Sequence, residues 1–301
     1  MFNKGAYTAI ITPFDDNNNV DYDTLCNLIK RQIENSISGI ILLGTTGESP
    51  TLDIDEKKQI VRTVMRKFNM QIPIIVGVGG NNTQETLHFA KWCVLSENVP
   101  ALMVTVPNYN KPTQEGIQSH FHKISQDPSI QHTPIMLYNI PSRTCVNANF
   151  NTLQQIRRTC PNIIAIKEAS GDLDQVATLI KNTNYKVFSG DDALSIPIMS
   201  LGGYGVISVL SNIIPYNVAK LISYMNEGDL KNARNIYYDT YNLNKILFIE
   251  SNPIPVKYLL YHMKEIKNPD VRLPLLKMTN QDNIKLLLNS YKDIYLDYIN
   301  E

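Results

Sequence analysis

Eight short runs of apolar, largely β-branched residues recur along this chain, and each is followed by a longer segment of helical period. The runs are Ala6–Phe14, Gly39–Gly44, Pro73–Gly79, Ala101–Pro107, Pro134–Asn139, Ile163–Lys167, Lys186–Gly190 and Gly205–Val209. They are nearly continuous in apolar residues, as expected of parallel strands covered on both faces. Between and after them lie Asp21–Ser36, Asp53–Phe68, Thr83–Glu97, Thr113–Gln126, Asn149–Cys160, Asp172–Lys181, Ala193–Leu201 and Pro215–Asn226. In the first of these Leu25, Leu28, Ile29 and Ile33 share one face. In the second Ile60, Val61 and Val64 do, behind acidic first turns that suit the helix dipole. Gly202 or Gly203 can close one helix, and Pro215 can open the next at its first turn. An open doubly wound sheet usually uses five or six strands. Eight regular units in about 225 residues therefore predict an α/β chain folded as a closed (β/α)8 TIM barrel.

The remainder is helical without strands: Leu230–Ile249, Pro255–Met263 and Asn280–Tyr298, with a Pro-containing break at Asn252–Pro255. Residues 1–226 are expected to form the barrel and residues 227–301 a C-terminal helical extension. Composition supports a large core, with 43% hydrophobic and 19% charged residues. Twenty-eight basic residues balance 28 acidic ones, so no net field draws in nucleic acid or anionic lipid. No apolar run approaches the roughly 18 residues of a membrane span, and Met1–Ile10 holds no apolar stretch long enough for a signal peptide. Cys26, Cys93, Cys145 and Cys160 are scattered without a CxxC pair, so a cytoplasmic protein with reduced thiols is expected. Among the five histidines there is no HExxH, and His120 and His122 point to different helix faces. No metal site is expected.

In this barrel class, chemistry sits at the C-terminal strand ends. Polar residues cluster there: Gly44-Thr45-Thr46-Gly47-Glu48-Ser49 after the second strand, Asn108-Tyr109-Asn110 after the fourth, Tyr138-Asn139 and Pro141-Ser142-Arg143-Thr144 at the fifth, Lys167-Glu168-Ala169-Ser170 at the sixth and Ser189-Gly190-Asp191-Asp192 at the seventh. Lys167 leaves a buried apolar strand. Desolvation disfavours its ammonium, and a neutral amine can attack a ketone to form an imine. The commoner role of a strand-end lysine is an ion pair, here with Glu168, or a solvated ammonium. Successive amides of the Gly44–Ser49 turn can hold a carboxylate, though such turns also serve geometry alone. Tyr138 and Tyr109 either pack with a bonded tip or relay protons. Arg143 is either a surface residue or a fork for a substrate carboxylate.

Taken with Gly205-Val206-Ile207-Ser208 and Asn252-Pro253-Ile254-Pro255-Val256-Lys257, these motifs resemble the dihydrodipicolinate synthase family nearly end to end and in family order. The resemblance implies condensation of pyruvate with L-aspartate 4-semialdehyde on a lysine Schiff base, in diaminopimelate and lysine synthesis. It implies Lys167 as the imine lysine and Tyr138, Thr45 and Tyr109 as the proton relay. Thr45 and Thr46 would hold the pyruvate carboxylate, with backbone at Gly190 and Ile207, and Arg143 would bind the semialdehyde carboxylate. It further implies a homotetramer of two tight dimers, with Tyr109 completing the neighbour's relay, and no cofactor. N-Acetylneuraminate lyase and 2-keto-3-deoxy sugar-acid aldolases share the barrel and the lysine, and Arg143 in Pro-Ser-Arg-Thr is what favours the synthase. Ser49, Asn81 and Glu85 match the lysine-feedback set of inhibited members. Ile54 and Lys57 replace histidines of that set and Asn108 a tyrosine, which implies weak or absent inhibition.

Overall fold

The computed structural model describes residues 2–299; the outermost bounds of the two expected regions, 1 and 301, lie outside them. Eight strands run in sequence order and close into a barrel. They are β1 (Gly5–Ala9), β2 (Gly39–Leu42), β3 (Ile74–Gly77), β4 (Ala101–Thr105), β5 (Ile135–Asn139), β6 (Ile163–Glu168), β7 (Lys186–Ser189) and β8 (Gly205–Ser208). The fold is the (β/α)8 TIM barrel that the apolar periodicity predicts. The helices are α1 (Tyr22–Glu34), α2 (Ile54–Phe68), α3 (Thr83–Glu97), α4 (Gln114–Ser125), α5 (Pro141–Thr144), α6 (Phe150–Thr159), α7 (Leu173–Asn182), α8 (Ser195–Ser200), α9 (Pro215–Glu227), α10 (Leu230–Asp239), α11 (Tyr241–Ile246), α12 (Ile254–His262) and α13 (Gln281–Ile299).

Local chemistry sets these boundaries. Asp21, Asn82, Thr113, Asn149, Asp172 and Asp229 each accept first-turn amides of the helix they precede. Such a cap contributes on the order of 1 kcal/mol by satisfying amides that have no intrahelical acceptor. Helix α9 opens on Pro215 and ends on Gly228 in the left-handed conformation at φ 81°.

Three expectations shift. The run Ala6–Phe14 is a strand only to Ala9, although Ile10, Ile11 and Phe14 stay buried. Beyond Ala9 the Asn212 side chain takes over the ladder, donating to Ala9 O (2.9 Å) and accepting from the Ile11 amide (3.3 Å). An apolar run reports burial, and here a side chain replaces the neighbouring strand as hydrogen-bond partner. The segment Leu230–Ile249 is two helices, because Thr240 ends α10 with its hydroxyl bonded to Ile236 O at 2.7 Å. Helix α5, a single turn opened by Pro141, lies between the run Pro134–Asn139 and the segment Asn149–Cys160, where no helix is expected.

Internal contacts gather the chain into two compact units, Met1–Gly5 with Val61–Ile207, and Ala6–Ile60 with Ser208–Glu301. In the first, β3 through β7 pair in parallel, strand by strand, and α6 packs against α4 and α7. In the second, β1 pairs with β2, α9 packs on α10, and α11 and α12 pack on α13. There the Arg31 guanidinium joins α1 to the chain before α9 through Asn212 O and Ile213 O, both at 2.7 Å.

Candidate active site

Lys167 is the penultimate residue of β6 and is 6% exposed. Its register partner on β5 is Tyr138, so the two side chains share a face of the sheet. The Lys167 Nζ lies 4.3 Å from the centre of the Tyr138 ring. Burial pulls its pKa down to about 8; Asp192 opposes the shift and Arg143 adds to it. Among the described residues Lys167 makes no hydrogen bond and no salt bridge, which leaves its nitrogen lone pair available once the proton departs. The pairing with Glu168 that a strand-end lysine invites does not form. Glu168 points to the opposite face and accepts from Asn139, Ser170 and Gln175.

The other expected residues of this unit stand as follows. Arg143 is exposed on α5, close enough for its charge to act on Lys167. Gly190 follows β7, and its amide donates to Glu168 O at 2.8 Å, so its carbonyl is the group left to offer. A Cβ there would come within 2.6 Å of the Ala169 Cβ, so the close approach of these strand ends requires glycine. Ile207 is buried on β8. Tyr109 is 82% exposed, held at φ 70° in the loop after β4. Asn110 steadies that loop by accepting from Asn81 at 3.2 Å. The structure therefore brings Lys167, Tyr138 and Arg143 into one electrostatic neighbourhood and leaves Tyr109 on the surface of the chain.

In the second unit the turn after β2 carries Thr45, half-buried, and Thr46, buried. The amides of Gly47, Glu48 and Ser49 are used within the turn, bonding to Gly44 O and Thr45 O. Those of Thr45 and Thr46 donate to no acceptor among the described residues. Two consecutive free amides flanked by hydroxyls form a concave donor group of the kind that holds a carboxylate. The Thr46 hydroxyl accepts from Asn252 Nδ2 at 2.9 Å, which fixes its direction. Glu48, in the left-handed conformation at φ 53°, closes the turn. Its carboxylate takes Lys257 Nζ at 2.7 Å and the Arg272 amide at 2.9 Å, with both charged side chains almost fully buried.

Sequence reading had Glu48 and Lys257 inside motifs but not as a pair. The available signal was a lone lysine within the apolar stretch Ile254-Pro255-Val256-Lys257-Tyr258-Leu259-Leu260. A charge there must be paired or lose its proton, and the partner, at a sequence separation of 209, is set by the fold. Among the described residues no helix is long and apolar enough to cross a membrane.

Residues 3–289 match the model of the Dihydrodipicolinate synthetase family. The chain is 44% identical over 295 residues to the 4-hydroxy-tetrahydrodipicolinate synthase of Methanocaldococcus jannaschii, covering 97% of this chain and 99% of that one. A solved dihydrodipicolinate synthase from Aquifex aeolicus superposes with a TM-score of 0.91 at 39% identity, over 96% of this chain and 98% of the other. The chloride-inhibited enzyme from Acinetobacter baumannii, complexed with pyruvate, superposes at 0.92 with 36% identity, over 97% and 99%.

Proposed function

We infer the reaction from a premise now in hand: the chain belongs to the Dihydrodipicolinate synthetase family. It is a carbon–carbon bond-forming lyase, and it condenses pyruvate with L-aspartate 4-semialdehyde, the activity of a 4-hydroxy-tetrahydrodipicolinate synthase in the diaminopimelate branch of lysine synthesis. Lys167 carries the mechanistic reading: a buried strand-end lysine, stacked on Tyr138, without an ion pair among the described residues. Its neutral amine adds to the ketone carbon of pyruvate. The carbinolamine loses water as a relay of Tyr138, Thr45 and Tyr109 protonates the departing oxygen. The imine then passes a methyl proton back to the relay to give an enamine, whose carbon attacks the aldehyde. The free Thr45 and Thr46 amides and hydroxyls, with backbone at Gly190 and Ile207, hold the pyruvate carboxylate. Arg143 takes the carboxylate of the semialdehyde.

Tyr109 needs a neighbouring chain for its role, and its exposure supports that reading. We therefore place the protein as a homotetramer of two tight dimers, in the cytoplasm, with its four cysteines free. We divide the chain into a catalytic barrel, residues 1–226, and a helical extension, residues 227–301. One assay tests the reaction: turnover of pyruvate with aspartate semialdehyde, against N-acetylmannosamine and glyceraldehyde. Preference for either sugar-type acceptor would overturn it.

Three further results are expected. Only the neutral form of Lys167 attacks, and its folded pKa of about 8 lies below the ordinary lysine value of 10.5. Imine formation therefore rises as pH increases from 6 and levels off above about 8; stopped-flow rates that climb tenfold per pH unit up to 10 would show an unperturbed lysine. Arg143→Ala leaves the pyruvate adduct intact but weakens use of aspartate semialdehyde about ten- to 150-fold, the value of a charge-assisted carboxylate contact of about 1.5–3 kcal/mol. Unchanged semialdehyde kinetics would remove Arg143 from the site. Finally, half-inhibition by L-lysine requires millimolar concentrations or more. Ile54 offers the effector no hydrogen bond, and Lys57 brings a like charge toward its ammonium. Initial rates across an L-lysine series decide this, and sub-millimolar half-inhibition would contradict it.

A further inference from the structure

Strands β5 and β6 carry two rows of side chains at their C-terminal ends, and the imine chemistry uses only one. Tyr138 and Lys167 are register partners on one face; the next pair, Asn139 and Glu168, lies on the other because side chains alternate along a strand. This second pair is the more deeply buried, at 0% and 2% exposure. Asn139 Nδ2 donates to both Glu168 oxygens, at 3.2 and 3.1 Å, and to Asn147 Oδ1 at 2.8 Å. Gln175 Nε2 reaches Glu168 Oε2 at 3.3 Å and Ala148 O at 3.4 Å, while Gln175 Oε1 accepts from Asn147 Nδ2 at 3.0 Å. The Ala148 amide donates to Asn139 Oδ1 at 3.2 Å, and the Ser170 amide to Glu168 Oε1 at 2.8 Å.

This is a buried carboxylate with only neutral partners. It has no salt bridge among the described residues, and burial pushes its pKa up. Such a group costs stability unless every lone pair is used. What its bonds achieve is local. Asn139 is the last residue of β5, and Ile140–Ala148 forms an arm that leaves it and returns to it. The network pins the returning end, Asn147 and Ala148, back onto Asn139. Inside the arm the Thr144 hydroxyl bonds Ile140 O at 3.0 Å and Val146 O at 2.9 Å, which stiffens the single turn of α5. Arg143 stands on that turn. Asp192 and Arg143 shift the Lys167 pKa, while Glu168 stands on the other face of the sheet and spends its oxygens on Asn139, Gln175 and the Ser170 amide.

We propose that Glu168, Asn139 and Asn147 are positioning residues that hold the Ile140–Ala148 arm so that Arg143 meets the carboxylate of the second substrate. The proposal rests on the role given to Arg143 above. It separates two tasks on one pair of strands: one face makes the imine, and the other sets where the acceptor binds.

Asn147→Ala is the primary test, because Asn147 is only half-buried and its loss spares the core. The borohydride-trapped pyruvate adduct at Lys167 forms within about twofold of the wild-type rate. The KM for aspartate semialdehyde rises about tenfold with little change in kcat, as expected when one charge-assisted contact is misplaced. Residues that act through one another are not additive, so Arg143→Ala/Asn147→Ala uses the semialdehyde no worse than Arg143→Ala alone. As a second variant, Glu168→Gln keeps the volume and removes one acceptor. In both variants amide hydrogen exchange across residues 140–148 quickens by about tenfold. Equal damage to adduct formation and semialdehyde use, losses that multiply with Arg143→Ala, or unchanged exchange in the arm would overturn the positioning role alone. Wild-type enzyme that forms no adduct at Lys167 would overturn the reaction and this inference together.

Discussion

Lys167→Ala yields a folded protein that traps no pyruvate on borohydride reduction and turns over on the order of 10³-fold more slowly, or worse, because covalent catalysis has no substitute nucleophile. Burial draws the pKa values of both Lys167 and Lys257 down to about 8. A depressed pKa alone would not tell them apart. Lys257 donates a hydrogen bond to Glu48 at 2.7 Å and lies 4.0 Å from the centre of the Phe14 ring, so its nitrogen is committed on both sides. Lys167 has the Tyr138 ring and nothing bonded to its nitrogen among the described residues. Peptide mapping of the reduced adduct should therefore find the added mass at Lys167 and none at Lys257. Turnover within tenfold of wild type in Lys167→Ala, or an adduct on Lys257, would remove the imine from the place given to it.

Lys257→Ala destabilises the protein by about 3–5 kcal/mol, since it strands the Glu48 carboxylate in a buried position without its counter-charge. For a chain of this size that lowers Tm by roughly 10 °C. Glu48→Ala should cost a similar amount, because Lys257 is 0% exposed and has no route to water. Glu48 also accepts the Arg272 amide at 2.9 Å, and Arg272 in turn forks onto the Glu56 carboxylate. The paired replacement Glu48→Gln/Lys257→Met therefore recovers most but not all of the loss. Calorimetric melts of the three variants read this directly. A Tm within 2 °C of wild type for Lys257→Ala would mean that the pair carries little of the stability of this region.

How legible all this was depends on the range of the forces involved. Seven of the eight strand runs lie within a residue or two of β2 to β8 at either end, and Thr83–Glu97 coincides with α3. Those are consequences of apolar period and capping, which act over a few residues. Ala6–Phe14 was over-read because burial, and not strand pairing, is what an apolar run encodes. Lys167, Tyr138 and Arg143 were visible as strand-end polar residues, and it took the resemblance to a family to separate them from the commoner roles of such residues.

What the sequence determined by itself is the eightfold alternation, hence the barrel, and the placement of polar residues at the ends of strands where barrel chemistry occurs. What only the tertiary structure decided is how those residues are partnered. Register sets Lys167 beside Tyr138 and turns Glu168 away to Asn139. Chain closure joins Glu48 to Lys257 across a separation of 209 and Thr46 to Asn252 across 206. Local propensity carries no information about such pairs. A buried charge or hydroxyl demands a partner wherever it is, and which partner answers is fixed only when the whole chain has packed.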